Sequence, residues 1–411
     1  MSVKSKVLLL AFVLFIECES VEIQKRNVCR TWSGYWDINK DKNPDCFFNE
    51  DMYLDVPELL KKYFGYYETH EIETQDGYFI TTYRIPKEKP KGYILFRHPA
   101  TTDSVAWIIQ GFESPALYFW KNGFEVWMTN TRGTDFSTKH KNLTAHDYNF
   151  WNFSFHEIAL YDLGAALEYI YQRNNNNKII VVGHSMGSTE CLIYASMLPL
   201  KSKKYVHVFV LMTASTTFQF SRVNFLGNFI PFLQKLTTDD TVGVVLNKGS
   251  LMSRIVRSVC PLVPDLCIAL YSFFGAGWST EEPNPVETSI IFNQIPRALS
   301  VKCVLHYGQL ISSGKFQMFD YGTANNEVYG SSYPPEYPVE NIVTPIYLIV
   351  GSRDDLAPKE DTEAFYNKLP NIAKIYGKLN IEGMNHIDPI VGTNRKEKVY
   401  DKILNILNKL S

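Results

Sequence analysis

Charge imbalance is the first thing this 411-residue sequence lacks: 41 Lys+Arg stand against 43 Asp+Glu, a formal net charge of −2. Binding nucleic-acid phosphates needs a basic face, so no nucleic-acid partner is expected. Long apolar runs are also lacking. Past the N-terminus no stretch approaches the roughly 20 residues of a spanning helix, so no transmembrane anchor is expected. Cysteine is sparse at seven. None sits in a C-x-x-C pair or near histidine at zinc spacing, so no metal is expected. Aromatic residues are plentiful at 14%, which suits a large core and an apolar binding surface equally.

The N-terminus carries an apolar run of its own. Lys4 and Lys6 precede Val7 to Ile16, and Cys18-Glu19-Ser20 follows. The run is too short to span a bilayer and reads as a secretory leader, residues 1–20, cut near Ser20. Secretion permits disulfides. Cys260 and Cys267, close together in a segment broken by Pro261 and Pro264, are the best candidates for a bridge, and Cys29 with Cys46 for a second. Cys191 and Cys303 read as buried free thiols. Asn142-Leu143-Thr144 and Asn152-Phe153-Ser154 are sequons, with glycosylation expected at Asn142 and Asn152.

The rest of the chain is organised around one short stretch. Lys178 to Val182 is apolar and β-branched, the pattern of a strand buried on both faces. Gly183-His184-Ser185-Met186-Gly187 follows it, and Ser188 to Ala195 reads as a helix. A strand turning into a helix through G-x-S-x-G is the nucleophile elbow of an α/β-hydrolase. The elbow strains the serine backbone, and glycines on either side let neighbouring backbone approach. The Met186 N–H lies at the helix N-terminus, where a developing oxyanion is stabilised.

The segments on either side fit that fold. Val21 to Asp45 has little periodicity and reads as a pro-region or an ordered arm. Val56 to Tyr63 is a short helix ended by Gly65, and Tyr67–Thr74 with Tyr78–Ile85 is a hairpin about Gln75-Asp76-Gly77. Gly92–Phe96, Gly123–Met128, Val206–Met212, Thr344–Val350 and Lys374–Ile381 are strands. Phe155–Gln172 and Lys396–Leu410 have helical spacing. This cadence predicts a mostly parallel sheet with helices on both faces. It stops between Thr216 and Tyr337, where the apolar runs Phe225–Leu236, Thr241–Leu246 and Ile255–Gly275 lack strand–helix alternation. That stretch reads as a mainly helical cap, part of it a lid whose apolar side meets lipid. The expected divisions are an arm at 21–50, a first core part at 51–214, the cap at 215–338 and a second core part at 339–411.

A serine hydroxyl becomes a nucleophile when a base takes its proton and an acid holds that base's tautomer. In this fold the order is Ser, acid, His, each at the carboxyl end of a strand. Ser185, Asp354 and His386 satisfy order and placement. Asp355 and Asp388 compete as acids, and Asp354 is favoured by its tight Gly-Ser-Arg turn. The second oxyanion donor is expected in His98-Pro99-Ala100, from the Ala100 N–H.

These residues sit among longer stretches that resemble the acid lipase family, the gastric and lysosomal lipases and their insect relatives. The likeness is carried by Glu73-Thr74-Gln75-Asp76-Gly77-Tyr78, Gly123-Phe124-Glu125-Val126-Trp127, Asn130-Thr131-Arg132-Gly133, Phe150-Trp151, the elbow and Asn385-His386-x-Asp388. It implies the same triad, Met186 and Ala100 as oxyanion donors, and a cap disulfide at Cys260 and Cys267. It also implies a secreted or lysosomal serine lipase acting on triacylglycerols or sterol esters at a lipid–water interface. No metal or organic cofactor is implied, and a monomer is expected. One departure matters: the family reads His-Gly-Leu where this chain has His98-Pro99-Ala100. Proline fixes φ and removes a donor. The alternatives are therefore a carboxylesterase for soluble esters and a weakly active or inactive lipid-binding relative.

Overall fold

A computed structural model describes residues 26–224 and 243–409. The expected leader and the Phe225–Leu236 run lie outside the described residues, as does the start of Thr241–Leu246. At the front, Asn27–Cys29 and Cys46–Phe48 pair antiparallel, and a disulfide joins Cys29 to Cys46. This arm is tied down: Tyr35 Oη donates to the Pro285 carbonyl and Trp36 Nε1 to Asp265.

Helix α1 (Val56–Phe64) begins in a capping box, where Asp55 accepts from the Glu58 N–H and Glu58 accepts from that of Asp55. It ends at Gly65. The central sheet then builds from β1 (Glu68–Glu73), β2 (Tyr78–Ile85) and β3 (Tyr93–Arg97). Helix α2 (Pro115–Lys121), β4 (Glu125–Thr129) and the short β5 (Lys139–His140) follow. Next come helix α3 (Gly164–Arg173), β6 (Ile179–His184), helix α4 (Met186–Met197) and β7 (Val206–Met212).

The chain then leaves the sheet for an insertion. Its helices α5 (Leu251–Val259), α6 (Pro264–Tyr271), α7 (Pro285–Gln294) and α8 (Val301–Ser313) are joined by short turns and one small strand pair, Val244–Val245 with Leu299–Ser300. A disulfide joins Cys260 to Cys267 across the turn between α5 and α6. The sheet resumes with β8 (Ile346–Gly351) and β9 (Lys378–Ile381), and helix α9 (Asp401–Leu407) closes the fold.

Strand order is β9-β8-β7-β6-β3-β4-β2-β1, with β5 on β2. All neighbours from β9 to β4 run parallel, whereas β2 is antiparallel to β4, β1 and β5. Period-2 alternation divides each central strand between two cores. Leu95, Trp127, Val181 and Phe209 pack with Leu163, Leu167 and Ile193 on one face. Phe96, Met128, Val182 and Val210 pack with Trp107, Phe119 and Ile403 on the other. Burial on both faces is why these strands read as unbroken apolar runs.

Strand ends shift by one or two residues from the periodic reading, and larger differences fall at other places. The helical stretch from Phe155 is broken by π geometry at Ile158–Leu163, where Asp162 turns inward to meet Arg132. The last strand starts late, at Lys378: a 3₁₀ turn occupies Asn371–Lys374, and Gly377 at φ +73° directly precedes the strand. The C-terminal helix opens as a π segment at Lys396–Tyr400. Cys191 and Cys303 are buried free thiols.

Candidate active site

The elbow follows from sterics. Ser185 sits at φ +52°, ψ −116°, a strained conformation for a residue with a Cβ. The flanking glycines permit it. A Cβ on Gly187 would stand 2.3 Å from the Arg97 carbonyl oxygen, and one on Gly183 would stand 2.9 Å from the Gly187 backbone. The Ser185 N–H donates to the Met212 carbonyl at 3.0 Å, anchoring the turn on β7.

Three sheet ends bring their loops to one point. Ser185 Oγ is 2.8 Å from His386 Nε2, and His386 Nδ1 is 2.9 Å from Asp354 Oδ2 and 3.1 Å from Oδ1. With Nδ1–H donating to the carboxylate, Nε2 carries the lone pair that accepts from the serine hydroxyl. Asp354 Oδ1 also accepts from the N–H groups of Leu356 and Ala357 at 3.0 and 2.7 Å, which fixes its orientation. Of the three acids weighed from the sequence, Asp354 is the one that stands against His386. Asp355 instead faces Arg222 at 3.2 Å. Asp388 accepts from the Asn385 N–H at 2.6 Å, and burial pushes its carboxyl up to about 6.

The insertion holds the histidine loop from outside. The His386 N–H donates to the Ala276 carbonyl at 2.9 Å, and Asn385 Nδ2 to that of Gly277 at 2.9 Å. Gly277 packs so closely that a Cβ there would meet the Arg353 carbonyl at 1.9 Å. The group is nearly sealed: Ser185 is 8% exposed, Asp354 3% and His386 2%.

Met186 is the first residue of α4, and its N–H has no acceptor among the described residues; the same holds for the Ala100 N–H. The loop carrying Ala100 is tightly bonded. Pro99 offers only a carbonyl, which accepts from His98 Nδ1–H at 2.9 Å and from Thr102 Oγ1 at 3.0 Å. His98 Nε2 accepts from the Thr131 N–H at 3.1 Å, and burial takes this imidazole down to about 3, so it stays neutral. Thr101 stands at φ +57°.

Beneath the elbow lies an ion pair that the sequence reading passes over. Arg97, at the end of β3, places Nη2 2.5 Å from Glu190 Oε2 of α4, and both side chains are fully buried. Burial pushes the Glu190 carboxyl up to about 7 while Arg97 opposes the shift. Charged residues within such apolar segments are the signal that would have marked them. Of the sequons, Asn142 and Asn152 are both exposed. Among the described residues no His/Cys/Asp/Glu cluster could hold a metal ion, and no helix is long and apolar enough to cross a membrane.

Comparison with known proteins adds to this geometry. A family model described as alpha/beta hydrolase fold matches residues 94–392, and one described as partial alpha/beta-hydrolase lipase region matches residues 56–111. The lysosomal acid lipase/cholesteryl ester hydrolase of Homo sapiens is 30% identical over 370 residues, covering 87% of this chain and 91% of that protein. Its Rattus norvegicus counterpart is 29% identical over 374 residues, with 87% and 91% covered. Among solved structures, a monoacylglycerol lipase from Paleococcus ferrophilus superposes with a TM-score of 0.51 at 16% identity, covering 80% of this chain and 99% of that one. At that identity the likeness concerns the fold alone.

Proposed function

The chain belongs to the α/β-hydrolase fold family and, within it, to the acid lipases, and from that premise we propose that it hydrolyses the ester bonds of neutral lipids through an acyl-enzyme on Ser185. In this reading His386 Nε2 takes the hydroxyl proton as Ser185 Oγ attacks the ester carbonyl carbon. Asp354 holds the imidazole's orientation and balances the charge it acquires. The carbonyl oxygen, now an oxyanion, is held by the N–H groups of Met186 and Ala100. Collapse expels the alcohol, which takes its proton from His386. Water, deprotonated by the same nitrogen, then releases the fatty acid.

The observation that carries this reading is the pair of contacts on the two nitrogens of His386, to Ser185 at 2.8 Å and to Asp354 at 2.9 Å. A lipid substrate is supported by the relatives and by the insertion, in which Leu251, Met252, Leu266 and Trp278 are exposed. Large exposed apolar side chains in one region mark a surface that meets something apolar. We assign residues 215–338 as the cap, working on a monomer at the lipid–water interface. Cleavage of residues 1–20 would send the enzyme to a secreted or lysosomal destination, glycosylated at Asn142 and Asn152.

The test is labelling by a lipophilic fluorophosphonate, with Ser185→Ala as control, followed by hydrolysis of emulsified long-chain and soluble short-chain esters. Labelling that survives Ser185→Ala removes the nucleophile. Turnover of soluble esters only would make the protein a carboxylesterase.

A further inference from the structure

Resting on that reading, we propose that Arg297, a residue of the insertion, is the positioning residue for the loop that presents the Ala100 oxyanion donor. Arg297 lies between α7 and α8 and grips the loop at two points. Its backbone N–H donates to the Thr101 carbonyl at 2.7 Å. Its guanidinium Nε lies 2.8 Å from Asp103 Oδ2, an ion-pair contact off the line a hydrogen bond prefers.

The guanidinium is itself fixed. Nη1 lies 2.9 Å from Asp135 Oδ2 and Nη2 donates to Gln294 Oε1 at 3.1 Å. Asp103 is wholly buried and Arg297 is 5% exposed. Asp103 Oδ1 accepts from the Val105 N–H at 2.8 Å, starting the turn that ends the loop.

The loop needs such a hold. Pro99 has no N–H to tie it down, and Thr101, next to Ala100, is held in the left-handed region at φ +57°. A β-branched residue stays there only when its surroundings over-determine the backbone. Two bonds to the Pro99 carbonyl come from within the loop, whereas Arg297 supplies restraint from outside on the far side of Ala100. The residues after Arg297 reach the other donor. Ala298, Leu299 and Ser300 line, with Thr101 and Met186, a void of about 10 Å³. One segment of the insertion thus sets the loop bearing one donor and adjoins the other.

The test uses the full-length secreted protein with Arg297→Met, which removes the charge but keeps the backbone N–H. The expected result is a fall of about tenfold or more in kcat on a soluble ester, with KM within about twofold and fluorophosphonate labelling slowed in parallel, as for an interaction made with the transition state. Arg297→Lys should recover part of kcat, and Asp103→Asn should lose it in the same direction. Should Arg297→Met fail to fold, these two variants decide. Folded variants with wild-type kcat and labelling rate, or with the whole loss in KM, overturn the proposal and leave the lipase reading standing. Wild-type protein that is not labelled at Ser185 overturns that reading instead.

Discussion

His184 Nε2 donates a 2.8 Å hydrogen bond to the carbonyl oxygen of His386. The residue before the proposed nucleophile therefore holds the backbone of the proposed base, and elbow and histidine loop are joined twice. Burial takes the His184 imidazole down to about 3, so it remains neutral and its Nε2 keeps the proton this bond requires.

Removing that second bond should cost turnover more than stability. His184→Phe is expected to lower kcat by about tenfold or more, because a base displaced by a fraction of an ångström loses its line to Ser185. His184→Gln, which can still donate, should lose less. Steady-state kinetics on a soluble ester would check the order.

Asp354→Asn should leave the fold intact and lower kcat by about 10³–10⁴, since an amide cannot hold the same tautomer or balance an imidazolium. A loss below tenfold would point to Asp355 or Asp388 as the working acid.

Gly187→Ala should destabilise the protein by about 1–3 kcal/mol or prevent folding, as overpacking does. The clashing atom is the Arg97 backbone oxygen, at 2.3 Å from the new Cβ, and it cannot rotate away. Urea unfolding of the variant gives the measurement.

The buried pair under the elbow should behave asymmetrically. Arg97→Met alone leaves Glu190 uncompensated and is expected to cost about 3–5 kcal/mol. Combining it with Glu190→Gln should restore much of that loss, because no lone carboxylate is left to be buried or protonated. A double variant no better than the single would contradict this.

Acid should weaken the fold through its buried histidines. Burial takes His306 down to about 3, with Glu157 opposing and His156 reinforcing the shift. Its folded pKa lies below the unfolded value of about 6.5, so its contribution is complete above pH ~6.5 and fades toward pH 3, by about 1.4 kcal/mol per unit. Glu190 and Asp388, raised to about 7 and about 6, act oppositely: the folded state gains as each is protonated. His306→Gln, which can still donate to the Gln317 carbonyl that His306 Nε2 meets at 3.0 Å, should flatten the fall in Tm between pH 6.5 and 4. Tm profiles of the two proteins would show it.

Much of this was legible along the chain because it depends on local rules. The apolar run ending at Val182, the two elbow glycines and the helix after them state strand, strained turn and helix in consecutive residues. The short run from Val56 to Tyr63, ended by Gly65, does the same for α1. The π segment at Ile158–Leu163 was not legible, since its residues keep a helical spacing in the sequence.

By itself the sequence determined an order of candidates: a serine in an elbow, then carboxylates, then a histidine, each after a strand. Only the tertiary structure put the Asp354 carboxylate on His386 Nδ1 and turned Asp355 to Arg222, set His184 against the His386 carbonyl and placed Arg297 on the Thr101 loop. The physical reason is that sequence order fixes which strand a residue ends, not how far it lies from another. Ser185 and His386 are 201 positions apart. Their distance is set by the parallel register of β6, β7, β8 and β9 and by an insertion packed over their ends.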